Sequence, residues 1–362
     1  MKMSFRWYGI GDPVSLQEIK EIPGMQGIVT AIYDIPVGEV WPVERIKSLK
    51  QTVEDAGLEI SCIESVPVHE DIKLGKNTRD KLIRNYKQTI RNIGKLGIPV
   101  ICYNFMPVFD WTRSDLNHSL PDGSNSLAFL KKDIEKMDPL SGELSLPGWD
   151  SSYTKESLQQ VFDEYNQINK EKLWDNLEYF IKEIIPVAEE ANVRMAIHPD
   201  DPPYDIFGLP RIITDLKAVE RFLDTFDSEY NGITMCVGSY ASDEKNNVEE
   251  ITEYALKRNR INFMHTRNVA VGEWGFQETA HLSECGSIDM NEIVRLLVKY
   301  DWNGPLRPDH GRQIWNDQVE TPGYGLYDRA LGATYFNGLY EANMKAAGKI
   351  PRFGTEDIKG EV

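Results

Sequence analysis

Four residues of metal-ligand type each close a short apolar run: His198, Cys236, His265, and Asp309 within Arg307-Pro308-Asp309-His310. Val193-Arg194-Met195-Ala196-Ile197 precedes His198, Ile233-Thr234-Met235 leads to Cys236, and Ile261-Asn262-Phe263-Met264 delivers His265. Gly304-Pro305-Leu306-Arg307-Pro308 delivers Asp309, although two prolines weaken it as a strand. A strand buried on both faces reads as continuous apolar sequence, and a (β/α)₈ barrel collects its chemistry at the C-terminal ends of such strands. Taken singly, a histidine after a strand is more often a hydrogen-bonded loop residue, a cysteine is usually core, and Asp309 could be a helix N-cap. Four in one structural slot make a divalent-metal site. The mixed donor set favours Fe(II), Zn or Co over Mg by ligand type alone.

Loops at the same ends carry further polar groups: Glu64, Pro67 and His69; Asn104, Asp110, Trp111 and Arg113; Arg267 and Asn268. Arginines hold a carboxylate bidentately and imidazoles hydrogen-bond to hydroxyls, so these groups suit a sugar acid. The candidates for substrate contact are Trp7, His69, Asn104, Arg267 and Arg307; for the tryptophans, plain core or lid packing is the competing reading. A cation flanked by acid and base groups suits proton abstraction beside a carboxylate. His310, next to Asp309, and Tyr324, in the turn Gly323-Tyr324-Gly325, are the candidate acid and base, with support of the neighbouring ligand as the other role open to His310.

Elements to position these residues follow from the alternation of strand-like and helix-like periods along the chain. Residues 27–32, 58–63 and 98–103 read as the first three strands, and the ligand-bearing runs as the fourth, fifth, sixth and eighth. Helices are expected from Pro42 to Gly57, from Thr78 to Leu96, and from Lys172 to Ala191, where Pro186 should kink the last turns. The architecture expected is a single TIM-barrel domain over residues 1–362. The rhythm fails between Asp115 and Lys170, with turn signals at Pro121-Asp122-Gly123-Ser124 and Ser145-Leu146-Pro147-Gly148. That stretch reads as a helical or loop insertion after strand three, a lid or dimer element on the catalytic face. Gly9-Ile10-Gly11 begins like a dinucleotide fingerprint, but position 14 is Val14 and Asp12-Pro13 blocks the required helix start.

Composition bounds the partners. Forty Lys and Arg against fifty-seven Asp and Glu give a net charge of −17, which repels nucleic acid and anionic membrane. No stretch approaches the roughly 20 apolar residues of a membrane span, and the N-terminus lacks a signal-peptide core. Three of the four cysteines, Cys62, Cys102 and Cys236, fall in or at the ends of strand-like runs, so a reduced, cytoplasmic setting is expected.

Longer motifs add a resemblance that covers nearly the whole chain. They are Arg6-Trp7-Tyr8-Gly9, residues 33–41, Glu64-Ser65-Val66-Pro67-Val68-His69, Cys102-Tyr103-Asn104 with Asp110-Trp111-Thr112-Arg113, His198-Pro199-Asp200-Asp201, Cys236-Val237-Gly238-Ser239, His265-Thr266-Arg267-Asn268 and Arg307-Pro308-Asp309-His310-Gly311. In these the chain resembles the mannonate dehydratases of hexuronate degradation, which have a xylose-isomerase-like barrel. The resemblance implies loss of water from D-mannonate to give 2-keto-3-deoxy-D-gluconate, with Mn²⁺ or Fe²⁺ as the ion. It places the ligands on His198, Cys236, His265 and Asp309, and the acid and base on His310 and Tyr324. The expected partners are a small sugar-acid substrate and a second copy of the chain in a homodimer. Two alternatives stand beside it: a divalent-metal sugar isomerase or epimerase on the same barrel, and a non-catalytic sugar-acid sensor.

Overall fold

The computed structural model describes residues 1–140 and 155–353. Its strands, in chain order, are β1 Lys2–Arg6, β2 Gly27–Thr30, β3 Glu59–Glu64, β4 Val100–Tyr103, β5 Asp115–Ser119, β6 Asn125–Leu130, β7 Arg194–Ile197, β8 Asn231–Cys236, β9 Ile261–His265, β10 Val269–Gly272, β11 Gly275–Glu278 and β12 Pro305–Arg307. A closed barrel runs β1-β12-β9-β8-β7-β4-β3-β2, so each barrel strand lies beside the next one in sequence. Every residue of β8 and β9 is buried, as continuous apolar runs require of strands covered on both faces. Val29, Cys62, Val100, Cys102, Ala196 and Phe263 form a separate small core cluster drawn from barrel strands. All four cysteines are free, with Cys285 exposed.

Helix starts are set by side chains that accept from exposed backbone N–H groups: Asn169, Asp215, Asn247 and Asp289 each cap the helix that follows. The helix Lys170–Ala191 continues past Pro186 and buries Trp174, Leu177, Ile181 and Ile184. It lies against the helix Arg79–Lys95 so closely that a Cβ on Gly94 would come within 2.4 Å of the Ala191 carbonyl oxygen. Gly94→Ala, which in an isolated helix would gain up to about 1 kcal/mol, is therefore expected to cost about 1–3 kcal/mol by overpacking. The urea midpoint of unfolding reads this directly, and an unchanged or raised midpoint would mean that the two helices separate at little cost.

Two expectations need correction. The first barrel strand is β1, not residues 27–32, so the metal-ligand candidates sit on the last four consecutive barrel strands rather than on four, five, six and eight. Lys2-Met3-Ser4-Phe5-Arg6 hides as a strand because its polar residues are also buried or half-buried. The excursion consequently follows the fourth barrel strand, and its first part is neither helix nor loop. β5 and β6 form a hairpin that joins β10 and β11 in a second sheet, ordered β10-β11-β6-β5. The Pro121-Asp122-Gly123-Ser124 signal is the hairpin turn, and a helix Lys155–Tyr165 follows later. The signal at 145–148 lies outside the described residues.

Candidate active site

Strand register brings the donors together. Cys236 pairs with His265 across β8 and β9, and His265 with Arg307 across β9 and β12. His198 comes directly after β7, and one ligand atom each from His198, Cys236 and His265 lie within 4.8 Å of one another. Asp309 brings Oδ2 to 3.6 Å from Cys236 Sγ and Oδ1 to 3.9 Å from His265 Nδ1. Its backbone is left-handed, with φ at 65°, a conformation that Asp tolerates better than most residues.

The protonation states suit a cation. His198 Nδ1 lies 2.7 Å from the Pro199 carbonyl, which can only accept, so in the neutral ring the lone pair is on Nε2. Burial, then the Arg307 guanidinium, holds the His265 imidazole well below its ordinary pKa and therefore neutral. Its Nδ1 is buried without a hydrogen-bond partner, a cost of about 1–3 kcal/mol that a bound cation would relieve. His265 Nε2 accepts from Arg307 Nε at 3.1 Å and lies 3.3 Å from Glu64 Oε1; a cation bound at Nδ1 would put the ring proton on Nε2, where Glu64 can accept it. Burial pushes the Cys236 thiol up to about 12, so it stays protonated unless a cation takes the proton's place. Two imidazoles, one thiol and one carboxylate thus fit a divalent ion of the Fe, Mn or Zn kind.

Around the donors runs a buried chain of alternating charge. Arg113 grips Asp201 with two bonds of 2.9 and 3.0 Å and Glu278 with two of 3.0 and 2.8 Å. Arg267 joins Asp201 (2.7 Å) to Asp309 (3.2 Å), and Arg307 joins Asp309 (2.7 Å) to Glu64 (3.0 Å). Arg6 closes the series on Glu64 at 3.2 Å. Burial alone would raise Glu64, but the Arg307 and Arg6 guanidiniums hold it down at about 2. Removing one member of such a chain leaves an uncompensated buried charge, at about 3–5 kcal/mol.

His310 and Tyr324 meet at 3.1 Å, Nε2 to Oη. Gly323, with φ at 84°, permits this, because a Cβ there would lie 3.3 Å from His310 Cβ and 2.9 Å from Leu127. On its other side His310 Nδ1 is 2.8 and 3.0 Å from the two Glu278 oxygens. Burial would raise Glu278, yet His310, Arg113 and Arg267 hold it below the usual range, so it is an ionised acceptor of Nδ1–H. Burial, then Tyr8, pushes the Tyr324 phenol well above its ordinary pKa. Tyr324 therefore keeps its proton, which it can give to a neutral His310 Nε2.

A cavity of about 410 Å³ is lined by His198, Asp309, His310, Tyr324, Asn104, Arg267 and Arg307, with Arg6, Tyr8, Tyr33, Asp110 and Trp111 among its other walls. Four expected residues do not line it: Cys236 and His265 are fully buried beside Asp309, and Trp7 and His69 lie elsewhere. Trp7 is buried in the main core, because strand alternation turns Arg6 and Tyr8 inward and Trp7 outward. His69 caps the short helix Glu70–Lys73, its Nδ1 accepting from the Asp71 backbone N–H at 3.0 Å. Glu278 was missed by the sequence reading, although Gly272-Glu273-Trp274-Gly275 between short alternating runs is a hairpin signal that would have placed it.

Comparison with known proteins agrees with this geometry. The family model for D-mannonate dehydratase (UxuA) matches residues 1–349. A mannonate dehydratase of Streptococcus pneumoniae (strain 70585) is 74% identical over 355 residues, covering 98% of this chain and 97% of the relative. The crystal structure of mannonate dehydratase from Streptococcus suis serotype 2 superposes with a TM-score of 0.93 at 70% identity, covering 98% of each chain. A xylose isomerase-like TIM barrel protein from Mycobacterium smegmatis, at 14% identity and a TM-score of 0.56 over 91% of this chain and 88% of that one, shares the fold alone. Whole-length identity at this level, on a barrel whose mouth gathers the same motifs, means that the chain belongs to the D-mannonate dehydratase family.

Proposed function

We propose that the protein removes water from D-mannonate to give 2-keto-3-deoxy-D-gluconate, in hexuronate breakdown, with His198, Cys236, His265 and Asp309 holding Mn²⁺ or Fe²⁺. The observation that carries the reading is the His310–Tyr324 pair at 3.1 Å on the wall of the cavity that also exposes His198 and Asp309, with Cys236 and His265 buried beside Asp309. When bound, the ion would stabilise negative charge developing on the substrate's carboxylate as the neighbouring carbon loses its proton. His310 Nε2 takes that proton once the Tyr324 O–H turns from it to the substrate's hydroxyl. The C–H electrons form the new double bond as the adjacent C–O bond breaks, and Tyr324 Oη supplies the proton with which the hydroxyl leaves as water; the enol so formed loses its hydroxyl proton and gains one on the neighbouring carbon to become the 2-keto acid. Arg267, Arg307 and Asn104 orient the acid and its hydroxyls, and the surrounding ionic chain keeps the guanidiniums fixed.

D-mannonate supplied to protein loaded with Mn²⁺ or Fe²⁺ without oxygen should yield one 2-keto acid per substrate consumed. Binding without product would favour a sensor, and interconversion of neutral aldose and ketose an isomerase; either result would replace this reading. We also infer a homodimer, supported by the exposed aromatic side chains Trp315, Tyr327 and Trp274, which sedimentation would read. No described helix is long and apolar enough to cross a membrane. The free cysteines suit a reducing compartment, and we place the protein in the cytoplasm.

A further inference from the structure

Glu278 does not belong to a barrel strand; it ends β11, in the sheet that the hairpin β5–β6 helps to build. We propose that Glu278 is the positioning residue for His310, and that this second sheet is the mount that holds it; the inference rests on the acid–base reading above and deepens it.

Three contacts fix the carboxylate. β11 is paired on both sides, Gln277 with Ala128 of β6 and Glu278 with Val269 of β10. Phe276 stacks on Phe129 of β6 at 5.4 Å with the rings 2° from parallel, which locks the two strands face to face. Arg113, immediately before the hairpin, lies over Phe276 at 4.8 Å and donates twice to Glu278 Oε1. A carboxylate so held accepts the Nδ1–H of His310 and leaves the lone pair on Nε2, aimed at Tyr324 and the cavity. Without it the imidazole could adopt the other tautomer or turn over, and Nε2 would no longer face the reacting carbon. The excursion after β4 thus has a task at the reacting centre: β6, with Arg113 just before the hairpin, braces the strand that aims the base.

The test is Glu278→Gln in the metal-loaded enzyme. We expect kcat to fall on the order of 10²–10⁴, as when the carboxylate behind a catalytic imidazole becomes an amide, with KM within about threefold and bound metal per chain unchanged. The double variant Glu278→Gln/His310→Asn should be no slower than His310→Asn by more than about threefold, since Glu278 acts only through that ring. Losses that multiply, or a raised KM at wild-type kcat, would overturn the proposal. Wild-type kcat in Glu278→Gln beside a crippled His310→Asn would overturn it alone, whereas wild-type kcat in His310→Asn would bring down the acid–base reading as well. Should the amide variant fail to fold, Glu278→Asp keeps the charge near Arg113 but withdraws the carboxylate by one methylene. The same loss of kcat at constant KM supports the proposal, and wild-type kcat there refutes it.

Discussion

Cys236→Ser should strip the protein of its metal. The thiol is fully buried and pushed up to about 12, so only a cation in the site makes it an anionic donor. A serine hydroxyl in the same place is a harder and far weaker acid, and would remain a neutral ligand. Loss of a partner that merely supports a ligand costs about 10–100-fold in metal affinity, and loss of the anionic ligand itself should exceed that. After dialysis, the serine variant is expected to retain under about a tenth of the wild-type metal and to lose turnover in proportion. The fold should persist, since Ser239 Oγ, 3.0 Å away, can hydrogen-bond with the new hydroxyl. Wild-type metal content together with wild-type turnover would remove Cys236 from the ligand set and leave the thiol as buried packing.

That His198, Cys236 and His265 cluster was legible because their carriers are extreme. β8 and β9 are buried at every residue, so their apolar runs stand out, and Cys236 and His265 mark where the runs meet the mouth. β1 was illegible for the opposite reason. Ser4 and Arg6 are themselves buried, with Arg6 held by Glu64 and by Tyr33 Oη at 3.0 Å, so a barrel strand reads as a polar segment. The same alternation misled the reading of Trp7, whose bulk suggested a sugar-facing wall while its parity on the strand sends it into the core. The second sheet was harder still. Its strands are four to six residues long and partly exposed, and nothing local tells that β6 of the excursion will pair with β11 nearly 150 residues later in the chain. Long-range pairing is decided by which edges remain open once the barrel has closed, and a single sequence does not record that.

Replacing either proton-transfer group should halt the reaction without emptying the site. His310→Asn and Tyr324→Phe are each expected to lower kcat on the order of 10²–10⁴ and to leave metal content unchanged, because neither side chain is among the four donors. Both act in one elimination, so the double variant should fall far short of the product of the two losses. Their roles separate in deuterated water. Tyr324→Phe lacks the donor to the leaving hydroxyl but keeps His310 Nε2, with its Nδ1–H bound to Glu278 at 2.8 Å, so the proton beside the substrate's carboxylate should still exchange with solvent. His310→Asn should show no such exchange. The reverse pattern would interchange the two assignments, making the tyrosine the base despite the burial that pushes its phenol well above the ordinary range. If neither variant slows turnover even about tenfold, both roles fail, and the acid–base search moves to Asp110, a cavity-lining carboxyl that burial raises above its usual value.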